Sequence, residues 1–212
     1  MQHQAIIFDL DGTLVDTIPI YEKAMIYMFS RGGTEISHED FRKLYVPSSN
    51  LNDILAKYNL EDREDELRNI RDDFYIDLLR KETEWFPDGK KFLEALPKDT
   101  TKAIATGSWM KYVDAIHKRC LIHDYFDTIV ACDDFSRRSK PNPLCLTLTC
   151  ERLGVDPKKC VYIGDQKVDM GAAKNASMEA WLVRRPIFTP EDSGENADRV
   201  VDSLEELMGD IS

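Results

Sequence analysis

The chain has 212 residues, 42% of them hydrophobic, and carries 39 Asp and Glu against 28 Lys and Arg for a formal net charge of -11. That acidic excess repels the phosphates of nucleic acid and the headgroups of anionic lipid, and no apolar run reaches the length of a membrane span, so neither nucleic acid nor membrane is an expected partner. Five cysteines without a CxxC pair and four histidines without HxH or HxxxH spacing argue against a zinc site or a disulfide framework and fit a reducing, cytoplasmic setting. The start, M-Q-H-Q-A-I-I-F-D, lacks the charged and then long apolar stretches of a secretion signal.

The first predicted strand, Ala5–Phe8, is continuously apolar, as suits a strand buried on both faces, and it runs straight into Asp9, Leu10, Asp11 and Gly12. In an extended strand residues i and i+2 point to the same side, about 6.6 Å apart. Asp9 and Asp11 therefore both face the region beyond the strand's carboxyl end, where open parallel sheets bind ligands. Two carboxylates there repel by about 3 kcal/mol at an effective dielectric near 20, a crowding that a shared cation or proton relieves. Asp16 reads as a turn or helix cap.

From residue 17 to 83 no strand-like run occurs. Tyr21, Met25, Met28 and Phe29 form one apolar stripe, and Leu67, Ile70, Phe74 and Leu78 another, at the spacings of three and four that mark amphipathic helices. The charged run Glu61–Glu66 reads as a solvated helix start, and Pro87 with Gly89 as punctuation where the chain returns. The expected organisation is a core domain of residues 1–16 and 84–212, interrupted by a helical domain of residues 17–83.

After residue 86 short apolar runs at Lys102–Ala105, Thr128–Ala131, Cys160–Ile163, Ala180–Val183 and Arg199–Val201 alternate with helical stretches or loops, the pattern of a parallel sheet with crossover helices. One run ends in I-A-T-G-S, where the Thr106 hydroxyl and the exposed backbone N–H groups around Gly107 can cradle an anion. S-K-P-N-P supplies a lone Lys140 before Pro141, a residue suited to opening a helix. C-V-Y-I-G-D-Q-K-V-D places Asp165 at the same sheet edge as Asp9, with Asp169 four residues on, either a further acid of the site or a helix N-cap. Carboxylates for a hard cation, with a hydroxyl and a Lys for an anion, describe a phosphate held against Mg²⁺.

At these residues the chain resembles the haloacid dehalogenase superfamily of aspartate-nucleophile phosphotransferases: F-D-L-D-G-T-L-V-D-T, A-T-G-S, K-P-N-P and G-D-Q-K-V-D match its four motifs in order. The resemblance implies an α/β Rossmann-like parallel sheet core with an inserted all-α helical cap, as in the phosphoglycolate phosphatase and β-phosphoglucomutase subgroup, and Mg²⁺-dependent chemistry on a small-molecule phosphate ester. It implies Asp9 as nucleophile and Asp11 as general acid and base. Metal ligands would be the side chains of Asp9 and Asp165, the carbonyl of Asp11, and Asp169 directly or through water. Thr106, Gly107 and Lys140 would bind the phosphoryl group. Asp11 argues against a dehalogenase or a phosphonatase, both of which lack the second acid. A sugar phosphomutase and a phosphate-binding module without turnover remain the alternatives to a phosphatase. The cap segment Y-V-P-S-S-N-L-N, residues 45–52, falls where the subgroup reads substrate and has no Lys or Arg for a second phosphate. Three departures stand out: Gln166 replaces the usual Ser or Thr, and Ser139 and Ser177 replace frequent Gly.

Overall fold

The structure is a computed structural model that describes residues 3–45, 51–135, 138–185, 189 and 191–210. The strands are β1 (Ala5–Phe8), β2 (Lys102–Ala105), β3 (Thr128–Val130), β4 (Cys160–Gly164), β5 (Glu179–Val183) and β6 (Arg199–Val201). They form one parallel sheet in the order β3-β2-β1-β4-β5-β6. The helices are α1 (Ile18–Gly32), α2 (His38–Tyr45), α3 (Leu51–Ala56), α4 (Glu64–Glu82), α5 (Pro87–Ala95), α6 (Met110–Cys120), α7 (Leu144–Leu153) and α8 (Lys167–Asn175). No helix among the described residues is long and apolar enough to cross a membrane.

The chain divides into two compact units, Met1–Asp16 with Thr83–Ser212, and Thr17–Glu82. In the first, small residues on the central strands (Ala5, Ala103, Ala105, Ala180) bring one sheet face against α7 and α8, through Cys145, Leu146 and Cys150 and through Met170, Ala172 and Ala173. On the opposite face Phe8 meets Phe92 and Phe126 edge-on, ring centroids 6.1 and 5.9 Å away. The five cysteines are free and buried, as small apolar side chains.

Where the chain leaves and re-enters this unit, the two passing segments pair: the Asp16 N–H donates to Glu84 O at 3.0 Å and the Phe86 N–H to Leu14 O at 2.9 Å. Asp16 is not the helix cap expected from its position. Thr17 stands at the N-cap of α1, and Asp16 Oδ1 is buried without a hydrogen-bond partner.

The second unit is all helical, with a core of Met25, Met28 and Phe29 from α1, Phe41 and Leu44 from α2, Leu51, Ile54 and Leu55 from α3, and Leu67 from α4. The inward face of α4 differs from the predicted stripe. Leu67 and Leu78 are buried, but so are Arg71, Asp72 and Tyr75, while Ile70 and Phe74 lie at the edge, half-buried. Arg71 donates to Asp72 Oδ1 and, at 3.2 Å, to the Tyr21 hydroxyl, and a buried ion pair of this kind leaves no trace in an apolar periodicity.

Ser177, between α8 and β5, has φ 61°, a left-handed conformation that a Cβ makes unfavourable by roughly 1–2 kcal/mol. Ser177→Gly is expected to stabilise the fold by about 1 kcal/mol, a rise of roughly 2–4 °C in thermal midpoint for a chain of this size. A calorimetric melt checks this, and an unchanged or lower midpoint refutes it. Ser139 has no positive φ, so nothing in its backbone calls for Gly.

Candidate active site

The register places Phe8 beside both Ile104 and Ile163. The residues that follow these three strands therefore arrive at one edge: Asp9 after β1, Thr106 after β2 and Asp165 after β4. The pairing continues one step further, as the Asp9 N–H donates to Ile163 O at 2.8 Å and the Thr106 N–H to Val130 O at 3.0 Å.

Asp9, Asp165 and Asp169 each turn a carboxylate oxygen inward, and these oxygens all lie within 4.8 Å of one another. Two glycines permit this approach. A Cβ on Gly164 would stand 2.5 Å from Asp169 Cβ, and one on Gly12, whose φ is +78°, would stand 2.9 Å from Asp165 Oδ2. Asp165 is held at both oxygens, by the Thr13 hydroxyl at 2.8 Å and the Gln166 side-chain amide at 2.8 Å. The Gln that replaces the usual hydroxyl residue thus supports the acid directly. Asp169 is not an N-cap but the third residue of α8. Gln166 stands at the cap, and its N–H donates to Asp169 Oδ2 at 2.9 Å.

Lys140 reaches two of the three acids. Its Nζ donates to Asp169 Oδ1 at 2.5 Å and to the Tyr162 hydroxyl at 3.0 Å, and stands 3.1 Å from Asp9 Oδ1. That last contact is an ion pair without hydrogen-bond geometry, so Asp9 Oδ1 is buried and accepts no hydrogen bond. Pro141, joined to Lys140 by a cis peptide, does not open the next helix as expected. α7 starts after Pro143, and Pro141 instead packs on Gly171 of α8, where a Cβ would come within 2.9 Å.

The electrostatics follow from this crowding. Burial, opposed by Lys140 and reinforced by Asp169, Asp165 and Asp11, holds the Asp9 carboxyl well above the usual carboxylate range. Burial and then Asp169 push Asp165 up to about 6, against the hydrogen bonds from Gln166 and Thr13. Burial alone would lower Lys140, but Asp169 and Asp9 keep its ammonium charged, above its ordinary value. Three carboxylates and one ammonium leave two negative charges, the complement of a divalent cation. The donors are hard oxygens gathered in one buried cluster, the chemistry that suits Mg²⁺.

Asp11 is not part of the trio. Its Oδ2 accepts a hydrogen bond from the Ser108 hydroxyl at 2.6 Å. Ser108 is itself pinned through its backbone, its N–H donating to Thr106 Oγ1 at 3.0 Å and its carbonyl accepting from the Cys132 N–H at 2.9 Å. Thr106 is buried, and Gly107 is exposed with open space where a Cβ would project. Trp109 packs against the core beneath α7 and α8. In the 45–52 segment, residues 46–50 lie outside the described residues.

Sequence reasoning did not single out Ser108, Thr13 or Tyr162. For Tyr162 a signal was present, since a phenol in an otherwise apolar, fully buried strand needs a polar partner. Ser108 directly follows Thr106 and Gly107 in A-T-G-S, but only the folded backbone aims its hydroxyl at Asp11.

Comparison with known proteins fits this geometry. Residues 6–183 match the family model described as haloacid dehalogenase-like hydrolase. The N-acetylmuramic acid 6-phosphate phosphatase of Pseudomonas aeruginosa is 27% identical, over 98% of this chain and 94% of that one. The phosphoglycolate phosphatase of Vibrio vulnificus is 31% identical, over 96% and 93%. The crystal structure of CbbY from Rhodobacter sphaeroides in complex with phosphate shares the fold, with a TM-score of 0.84 at 23% identity over 97% of this chain and 96% of that one. With its parallel sheet, inserted helical unit and acidic sheet edge, the chain belongs to the haloacid dehalogenase-like hydrolase family.

Proposed function

We propose that the protein is a Mg²⁺-dependent phosphatase that hydrolyses a small phosphate monoester through an aspartyl-phosphate on Asp9, with the helical unit as its cap. The observation that carries this reading is the buried trio Asp9, Asp165 and Asp169, with the Lys140 ammonium paired to Asp9 and Asp169. The two phosphatases among the relatives support the same class of reaction.

Asp9, Asp165 and Asp169, with the carbonyl of Asp11, would hold the ion. Mg²⁺ supplies positive charge that keeps the crowded carboxylates ionised and offsets the charge of the phosphoryl oxygens. Thr106 Oγ1 and the Gly107 N–H orient those oxygens, and Lys140 adds a fixed positive charge beside them. An Asp9 oxygen attacks phosphorus, the ester P–O bond breaks, and its electron pair leaves on the alkoxide, which takes a proton from Asp11. Asp11 then removes a proton from water as the water oxygen attacks phosphorus. The bond to Asp9 breaks, releasing phosphate and restoring both acids.

The test is phosphate release from a panel of sugar phosphates and short carboxylate phosphates, with Mg²⁺ and with excess chelator. Release that depends on Mg²⁺ is expected. Isomerisation of a sugar phosphate without release would instead identify a mutase, and no metal-dependent conversion across the panel would leave a phosphate-binding module.

A further inference from the structure

The Lys140 ammonium has three N–H donors, and two of them are engaged, by Asp169 Oδ1 and by the phenolic oxygen of Tyr162. The phenol's own hydrogen is donated to the Ala105 carbonyl at 2.9 Å, so its oxygen meets the ammonium as an acceptor. Tyr162 belongs to β4 and Ala105 to β2, the strands on either side of β1. The ring therefore reaches across the strand that ends at Asp9, and its relative exposure is 0%. An ammonium held at two corners has its place fixed, and that place is 3.1 Å from Asp9 Oδ1.

We propose that Tyr162 is a positioning residue for Lys140, its phenolic oxygen holding the ammonium beside Asp9 so that its charge balances that carboxylate. The proposal deepens the phosphatase reading and rests on it. A lysine has a flexible four-carbon stem and rotatable donors. Without the phenolic acceptor the ammonium keeps a single hydrogen-bond anchor, Asp169 Oδ1, and is free to turn away from its place beside Asp9. A ring that only filled space would act differently, since Phe fills the same core volume.

Steady-state kinetics of Tyr162→Phe with Mg²⁺ and the best ester of the panel test the idea, together with ¹H–¹⁵N spectra of the lysine ammonium groups, in which Lys140 is assigned by its loss in Lys140→Met. The expected result is a kcat lower by about 10- to 100-fold, the scale of losing a hydrogen bond to a charged group, with KM within about twofold and a displaced or broadened Lys140 signal. An undiminished kcat in Tyr162→Phe overturns the role given to Tyr162, as does an unmoved Lys140 signal. Absence of Mg²⁺-dependent hydrolysis by the wild-type protein instead overturns the reading of the site, so the two failures are distinguishable.

Discussion

Asp9→Asn is expected to abolish phosphate release, with kcat lower by at least about 10⁴-fold, the scale of removing a nucleophile. The amide keeps the volume of the side chain but has no anionic oxygen to attack phosphorus. It also takes one carboxylate from the buried trio. Asp11→Asn is expected to differ in kind. Asp11 stands apart, its carboxylate held by Ser108 rather than turned into the trio. With an ester whose leaving group needs little protonation, this variant still forms phosphoenzyme but activates water poorly, so phosphorylated protein accumulates and is seen in the intact mass. Full activity in Asp9→Asn would falsify the covalent route.

The second large effect concerns stability. In the folded protein burial and the neighbouring Asp169 push the Asp165 carboxyl up to about 6, whereas an unfolded Asp lies at about 3.9. Between these values the folded state binds more protons than the unfolded state. This group's contribution is therefore present below about pH 4 and lost as the pH rises through about 6. By pH 7.5 the ionised, crowded Asp165 costs the metal-free fold about 2–3 kcal/mol. Asp165→Asn without metal at pH 7.5 is accordingly expected to be about 2 kcal/mol more stable than wild type. Mg²⁺ at about 100 times its Kd is expected to stabilise wild type by about 3 kcal/mol at that pH, and to do little at pH 4.5 or in the variant. Urea denaturation with and without Mg²⁺ measures all four cases. A less stable metal-free Asp165→Asn, or a full Mg²⁺ response in it, would contradict this account.

The features legible in the sequence were those that lie at strand ends. Asp9, Thr106 and Asp165 each follow an apolar run, and the parallel register that aligns Phe8 with Ile104 and Ile163 brings them to one edge. The inserted helices were legible because Met25, Met28, Phe29 and Leu67 keep helical spacing in their core. Side-chain direction was not. Nothing in the spacing tells that Ser108 reaches Asp11, that the Gln166 amide turns onto Asp165, or that Tyr162 spans two strands to Ala105. Burial of Arg71 and Asp72 escaped for a related reason, since a pattern of apolar residues cannot register a charged pair that satisfies itself inside a helical core.

The order of strands in the sheet also governs how the protein is born. β1 leaves the ribosome before β2 and β4, yet Ile6 finds its partners only at Lys102 and Val161, and contacts so distant in sequence are slow to close. The helices between Ile18 and Glu82 pack mainly on one another, so they can consolidate during synthesis while the segment bearing Asp9 waits. Asp9 is thus made before the two strands that flank it and must wait for both to complete its surroundings.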